Sequence, residues 1–137
     1  MSEGKLSKPD QDFSLTVDTE LPQISTLPLP QALERLTALE KQTRQASDAF
    51  STRRILVKVV QLCAEHNEWD TLNDQILAFS KKHGQLKAAA QGMVAEAWGI
   101  LKSKDWKAEG RLEERGKLIE TLRVVTEGKV SFLWRFD

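Results

Sequence analysis

The stretch Ser51-Thr52-Arg53-Arg54-Ile55-Leu56-Val57-Lys58-Val59-Val60-Gln61-Leu62-Cys63-Ala64 decides the class of fold. Ile55, Val59, Leu62 and Cys63 recur at steps of three and four, the period of one helix face. A half-buried strand would alternate every second residue instead. Leu56 and Val60 widen the apolar face, so this helix is expected to pack on two sides. Ser51 or Thr52 is the expected cap, since either offers a side-chain oxygen to the free amides of the first turn.

The same period runs outward in both directions. Upstream, a helix is expected over about residues 31–46, entered at Pro30, with Leu33, Leu36 and Leu39 or Glu40 on its inner stripe. Downstream, Trp69, Leu72, Ile76 and Phe79 align from a start near Glu68 or Trp69. Lys81, Lys82 and His83 suit that helix's C-terminal dipole, and Gly84 is the expected residue just past its end. A fourth helix, about 85–102, aligns Leu86, Ala90, Met93, Ala97 and Ile100. Its small residues Ala88, Ala89, Ala90, Ala95 and Ala97 would let a neighbouring helix come close. A fifth, about 109–127, carries Leu112, Ile119, Leu122 and Val125 and stops at Gly128.

Five helices of roughly four turns with short connections make antiparallel neighbours. Alternate helices start about 40 residues apart, within the range of helical repeats. Trp69, Leu72 and Ile76 partly reproduce the tetratricopeptide pattern W-x2-L-G-x2-Y, with Asn73 in the place of Gly and Ile76 in the place of Tyr. An all-α, irregular TPR-like α-solenoid is therefore expected, with a closed bundle as its rival. Residues 1–30 stand apart. All four prolines lie there (Pro9, Pro22, Pro28 and Pro30), and proline removes an amide donor and disfavours helix before it. This segment is expected to be a flexible or extended arm whose Phe13, Leu15, Val17, Leu21 and Ile24 can dock.

Composition narrows the partners. The 137 residues hold 20 Lys plus Arg and 20 Asp plus Glu, a formal net charge of zero. A protein gripping nucleic acid through phosphates needs a basic surplus, so protein partners are favoured over nucleic acid. The single cysteine, Cys63, forms no intrachain disulfide and supplies no cysteine-based zinc site. The first residues, Met1-Ser2-Glu3-Gly4-Lys5, lack a signal peptide's apolar run, and no stretch approaches the roughly 20 apolar residues of a membrane span. A cytoplasmic or nuclear chain is expected.

No residue pattern assembles chemistry. No HExxH, paired His-x3-His or carboxylate–His cluster surrounds His66 or His83, and His66, within Glu65-His66-Asn67-Glu68, fits a helix end, where an imidazolium meets the dipole. Cys63 lies on an apolar stripe without a neighbouring base, as a buried small hydrophobe does. The carboxylates Asp70, Asp74, Glu113 and Glu114 read as solvated helix surface. Phosphate loops, dinucleotide fingerprints and G-x-S-x-G elbows are missing. No catalytic, cofactor-binding or metal residue is expected, and no small-molecule substrate. Two basic features remain: a ridge of Lys41, Arg44, Arg53 and Arg54, and Trp106 among Lys102, Lys104 and Lys107, interrupted by Asp105 and Glu109. Trp98 either packs on the fifth helix or marks an interface.

The segment Leu39-Glu40-Lys41-Gln42-Thr43-Arg44-Gln45-Ala46-Ser47-Asp48, followed by Ser51-Thr52-Arg53-Arg54-Ile55-Leu56-Val57, resembles a family of proteasome lid proteins. It is the non-ATPase regulatory subunit 12 family, whose members carry a PCI domain. Further blocks keep the same order: Glu68-Trp69-Asp70, Leu72-Asn73, Ser80-Lys81-Lys82, Gln85-Leu86-Lys87, Met93-Val94, Leu118-Ile119, Thr121-Leu122-Arg123 and Val125-Thr126-Glu127-Gly128-Lys129. Thr16-Val17-Asp18 with Leu21-Pro22 has a counterpart in the arm. The resemblance implies a non-catalytic scaffold: a right-handed array of helix pairs followed by a winged-helix PCI module, assembling with other lid subunits and the core particle. It supplies no site residues. The COP9 signalosome has a similar subunit, but Glu40-Lys41-Gln42-Thr43-Arg44 and Val125-Thr126-Glu127-Gly128-Lys129 favour the proteasome member. Val130-Ser131-Phe132-Leu133-Trp134-Arg135-Phe136-Asp137 departs from the family pattern. The expected organisation is thus an arm (1–30), a truncated helical-repeat domain (31–129) and a non-family apolar tail (130–137). A solenoid cut after the fifth helix exposes an end, which the tail or self-association with a second copy would cover.

Overall fold

The computed structural model describes residues 9–127, and among them it is all-helical, with six helices and no strand. They are α1 (Ser14–Ile24), α2 (Leu29–Gln45), α3 (Ala49–Glu65), α4 (Trp69–Ser80), α5 (Lys87–Ser103) and α6 (Leu112–Thr126). The substantial packing joins each helix to those one or two places along the chain. α3 lies against α2, α4 and, most extensively, α5, while α4 also packs on α6. Contact confined to near neighbours is the signature of an α-solenoid, in which each unit buries its face on the next. None of the described helices is long and apolar enough to cross a membrane.

The expected five-helix count misses α1, which occupies part of the segment read as an arm. Val17, Leu21 and Ile24 are buried at i, i+4 and i+7, a helical stripe. Asp12 accepts a 2.8 Å hydrogen bond from the Ser14 amide and so serves an orphan donor at the helix start. Hydrogen bonds from the Ser14 hydroxyl and amide hold the Asp12 carboxyl below its ordinary pKa. Pro22 lies inside α1, in its last turn, where it offers no amide to the carbonyl four residues back, and the helix ends two residues later at Ile24. Ion pairs Asp18–Arg54 (2.7 Å) and Glu20–Arg35 (3.0 Å) tie α1 to α3 and α2.

The cap of α3 is Asp48, not Ser51 or Thr52. Its Oδ1 accepts from the Ser51 amide at 3.1 Å, and its Oδ2 accepts from the Phe13 amide at 2.8 Å, so one carboxylate starts a helix and fastens the segment before α1. Ser51 and Thr52 are instead buried in the first turn, where Thr52 Oγ1 lies 2.8 Å from both Asp48 O and Thr43 Oγ1.

The corners α2–α3 and α3–α4 are copies of one another. Ser47 (φ 58°) and Asn67 (φ 55°) take the left-handed conformation. Around them Asp48 N–H donates to Thr43 O and Ser47 N–H to Arg44 O, just as Glu68 N–H donates to Cys63 O and Asn67 N–H to Ala64 O. These are paired Schellman bonds, which satisfy carbonyls left over at the helix end. The later boundaries shift from expectation. α4 ends at Ser80, so Lys81 is its cap while Lys82, His83 and Gly84 lie in the following turn. α6 starts at Leu112 because residues 105–110 form a turn of their own, closed by Arg111 N–H to Trp106 O. Its buried stripe is Leu118, Leu122 and Val125, leaving Leu112 exposed.

The core runs through the array as one cluster, including Leu36, Ile55, Val59, Leu72, Ile76, Met93 and Leu118. α5 approaches α3 closely at Gly92, where an added Cβ would sit 2.6 Å from Arg53 Cγ. The tail over residues 130–137 lies outside the described residues.

Candidate interaction surface

Both basic features are partly neutralised. Arg44 Nε pairs with Glu40 Oε2 at 3.0 Å, and its Nη1 donates to His83 O at 2.9 Å. Arg54 is engaged with Asp18, so the ridge is broken at two of its four members. Trp106 is only 3% exposed. Its ring meets Trp69 at 4.7 Å between centroids, tilted by 58°, and its Nε1–H donates to Leu101 O at 3.1 Å. Lys104 Nζ lies 5.3 Å from the Trp69 ring and 5.6 Å from the Trp106 ring, and also pairs with Glu109 at 2.6 Å. A ring locked in this way has no face left for a nucleic-acid base.

The residues with chemical potential stay apart. His66 is the C-cap of α3, and His83 lends its carbonyl to Arg44. Cys63 is buried, and burial first, then the Glu68 carboxylate, pushes its thiol up to about 12. Among the described residues, no three His, Cys, Asp or Glu side chains gather to hold a metal ion. Sequence reasoning missed one buried polar cluster. Glu40 is fully buried, and its Oε2 accepts from Arg44 and from Gln85 Nε2, both at 3.0 Å. Gln85 Nε2 also donates to Phe79 O at 2.8 Å, so the cluster welds α2 to the α4–α5 turn. The alternative of Glu40 on the α2 stripe was the only hint in the sequence.

What the surface does offer is a groove of about 650 Å³ between α5 and α6. Val94, Ala95 and Trp98 form one wall, Ile119 and Leu122 the other, with Arg123, Thr126 and Glu127 at the rim. Trp98 is 48% exposed, so it neither packs away fully on α6 nor stands clear of it. α5 carries Ala95 as an exposed small residue here, which keeps the wall low. Such a lining takes an apolar side chain out of water, and its one hydroxyl, Thr126, donates to Leu122 O at 2.8 Å.

A short α-solenoid with an apolar groove and no assembled catalytic constellation among its described residues defines the class: a helical-repeat module suited to contacts with other chains. The chain belongs to the family described as PSMD12/CSN4, N-terminal, whose model matches residues 31–132. It is 44% identical over 133 residues to the 26S proteasome regulatory subunit RPN5 of Saccharomyces cerevisiae, covering 95% of this chain and 29% of that protein. It is 33% identical over 126 residues to the regulatory subunit rpn501 of Schizosaccharomyces pombe (90% and 27% covered). With the 26S proteasome non-ATPase regulatory subunit 12 homolog A of Arabidopsis thaliana it shares 39% over 102 residues (74% and 22% covered). The chain therefore spans less than a third of the length of each of these relatives.

Proposed function

We propose that this chain is the N-terminal protein-interaction portion of a non-catalytic scaffold subunit of the proteasome regulatory particle lid, serving ubiquitin-dependent degradation. The observation that carries the proposal is the 44% identity to a 26S proteasome regulatory subunit across 95% of the chain. The mechanism is multivalent docking. Helix pairs held by neighbour-to-neighbour packing present a long surface, and partners bury apolar groups in features such as the α5–α6 groove. The partners are other lid subunits and the core particle, met in the cytoplasm and nucleus.

The family description also covers CSN4, so a COP9-signalosome scaffold is the competing reading. The proteasome names of the relatives favour the lid. Affinity purification of the tagged chain from cell extract, scored for lid, core-particle and signalosome subunits, separates them. Enrichment of lid subunits over both a mock purification and signalosome subunits is expected. Recovery of signalosome subunits alone, or of neither set, rejects the proposal.

A further inference from the structure

A second recess, of about 430 Å³, lies between α3 and α5. Phe50, Arg53, Arg54 and Val57 form its α3 wall, and Gly92, Ala95 and Glu96 face them. Phe50 is 53% exposed, so a large aromatic face on that wall stands open to solvent. The charges of the recess are unequally answered. Arg54 is paired with Asp18 at 2.7 Å, and Glu96 Oε2 accepts from Gln61 Nε2 at 3.2 Å. Arg53 has no ion pair or hydrogen bond among the described residues. Its stem lies against Gly92, where an added Cβ would come within 2.6 Å of Arg53 Cγ, so this cation is seated on α5. We propose that the α3–α5 recess docks an amphipathic helix of another protein, with its apolar stripe on Phe50 and Val57 and a carboxylate on Arg53.

A seated cation without a partner, beside an exposed ring, complements a carboxylate next to an apolar side chain. Phe50 and Val57 are two turns apart on α3, about 10 Å along its axis. Apolar side chains at i and i+7 of a docked helix have the same separation. An extended peptide fits less well. The described residues contain no strand, so its backbone donors and acceptors would meet no sheet edge. Nucleic acid is disfavoured because one unanswered cation meets one phosphate, and tight binding needs several. A second copy is disfavoured because a two-fold contact through this recess sets Arg53 towards its own twin. Such docking rests on the scaffold role and adds the chemistry of a partner. A probe that contains no lid subunit lets either fail alone.

The probe is a fluorescein-labelled helical peptide of about four turns, with leucines along one stripe and glutamates beside it. A matched peptide carries lysine for every glutamate. Each is titrated with the whole chain and followed by fluorescence anisotropy. The acidic peptide should saturate and bind at least about tenfold more tightly than the lysine form. Arg53→Glu should reverse that order. Phe50→Ser should weaken the acidic peptide by about tenfold, whereas Leu112→Ser, at a residue exposed on α6, should leave it unchanged. The comparison of the two peptides on the unaltered chain depends on no variant's folding. Absence of saturable binding by the acidic peptide, or equal binding of both peptides there, overturns the proposal. A loss at Leu112→Ser equal to that at Phe50→Ser also overturns it. So does a fall in the mass read by light scattering on Phe50→Ser, since the occupant is then a second copy.

Discussion

Replacing Trp106 with Ala is expected to destabilise the chain by about 4 kcal/mol, within the range for a large aromatic removed from a core. The figure follows from the surroundings. At 3% exposure nearly the whole indole is lost to burial, and the loop between α5 and α6 has no other ring to fill the space beside Trp69. Within that total, the tilted ring pair accounts for about 1 kcal/mol. The Nε1–H bond to Leu101 O accounts for about 1 kcal/mol more. Trp106→Phe keeps a ring against Trp69 but drops the donor, and should cost about 1–2 kcal/mol. Urea titration followed by far-UV circular dichroism reads both without relying on the indoles themselves. With a slope near 2 kcal/mol per molar, the Ala variant's midpoint should fall by about 2 M while the slope holds. Combining Trp69→Ala with Trp106→Ala should cost less than the sum of the single changes, because the second no longer breaks a ring contact. If Trp106→Ala costs under about 1.5 kcal/mol, or Trp106→Phe costs as much as Trp106→Ala, the ring is not the keystone described.

Ser47→Gly should stabilise the chain by about 0.5–1 kcal/mol in the same titration, since the left-handed strain of a side chain exceeds glycine's extra entropy. Asn67→Gly should gain less, because Asn tolerates that conformation better. Asp48→Ala removes the α3 cap and the Phe13 tether together and should cost about 2 kcal/mol, with amide exchange accelerating in α1 as well as at the start of α3. Cys63 should resist a thiol reagent at pH 8 in the folded chain and react fully in denaturant. Its folded pKa is raised from 9.0 to about 12, so the unfolded thiol ionises first. The associated stability is intact below pH 9 and falls between pH 9 and 12 by at most about 1.4 kcal/mol per unit. Cys63→Ala should flatten that alkaline slope.

Helices α2 to α5 were legible because their buried residues recur on a strong 3.6-residue period, from Leu36 and Leu39 through Ile55, Val59, Leu72, Ile76, Met93 and Ala97. α1 was not, because Pro22 within it and Pro9, Pro28 and Pro30 around it argued against a helix that Val17, Leu21 and Ile24 sustain by docking. Tertiary burial outweighed local propensity there. The corners escaped notice for a related reason. Ser47 is not a residue that advertises positive φ, so its turn is enforced by the helices on either side. The groove was half visible: Trp98 stood off the α5 stripe, but only the splay of α5 from α6 makes a recess beside it. Glu40 shows the same limit, since a carboxylate becomes a core residue only once Arg44 and Gln85 close on it from different elements.

The matched corners at Ser47 and Asn67 have a bearing on how such chains change over generations. Both joints leave a helix and enter the next through the same three-residue path with the same pair of bonds. A crossover of genetic material that cuts at one joint and rejoins at the other would meet a backbone already bent to fit. The unit bounded by these two joints is the single helix α3, so its loss or duplication would also reverse the direction of every helix that follows. Only units of two helices could be exchanged without that reversal.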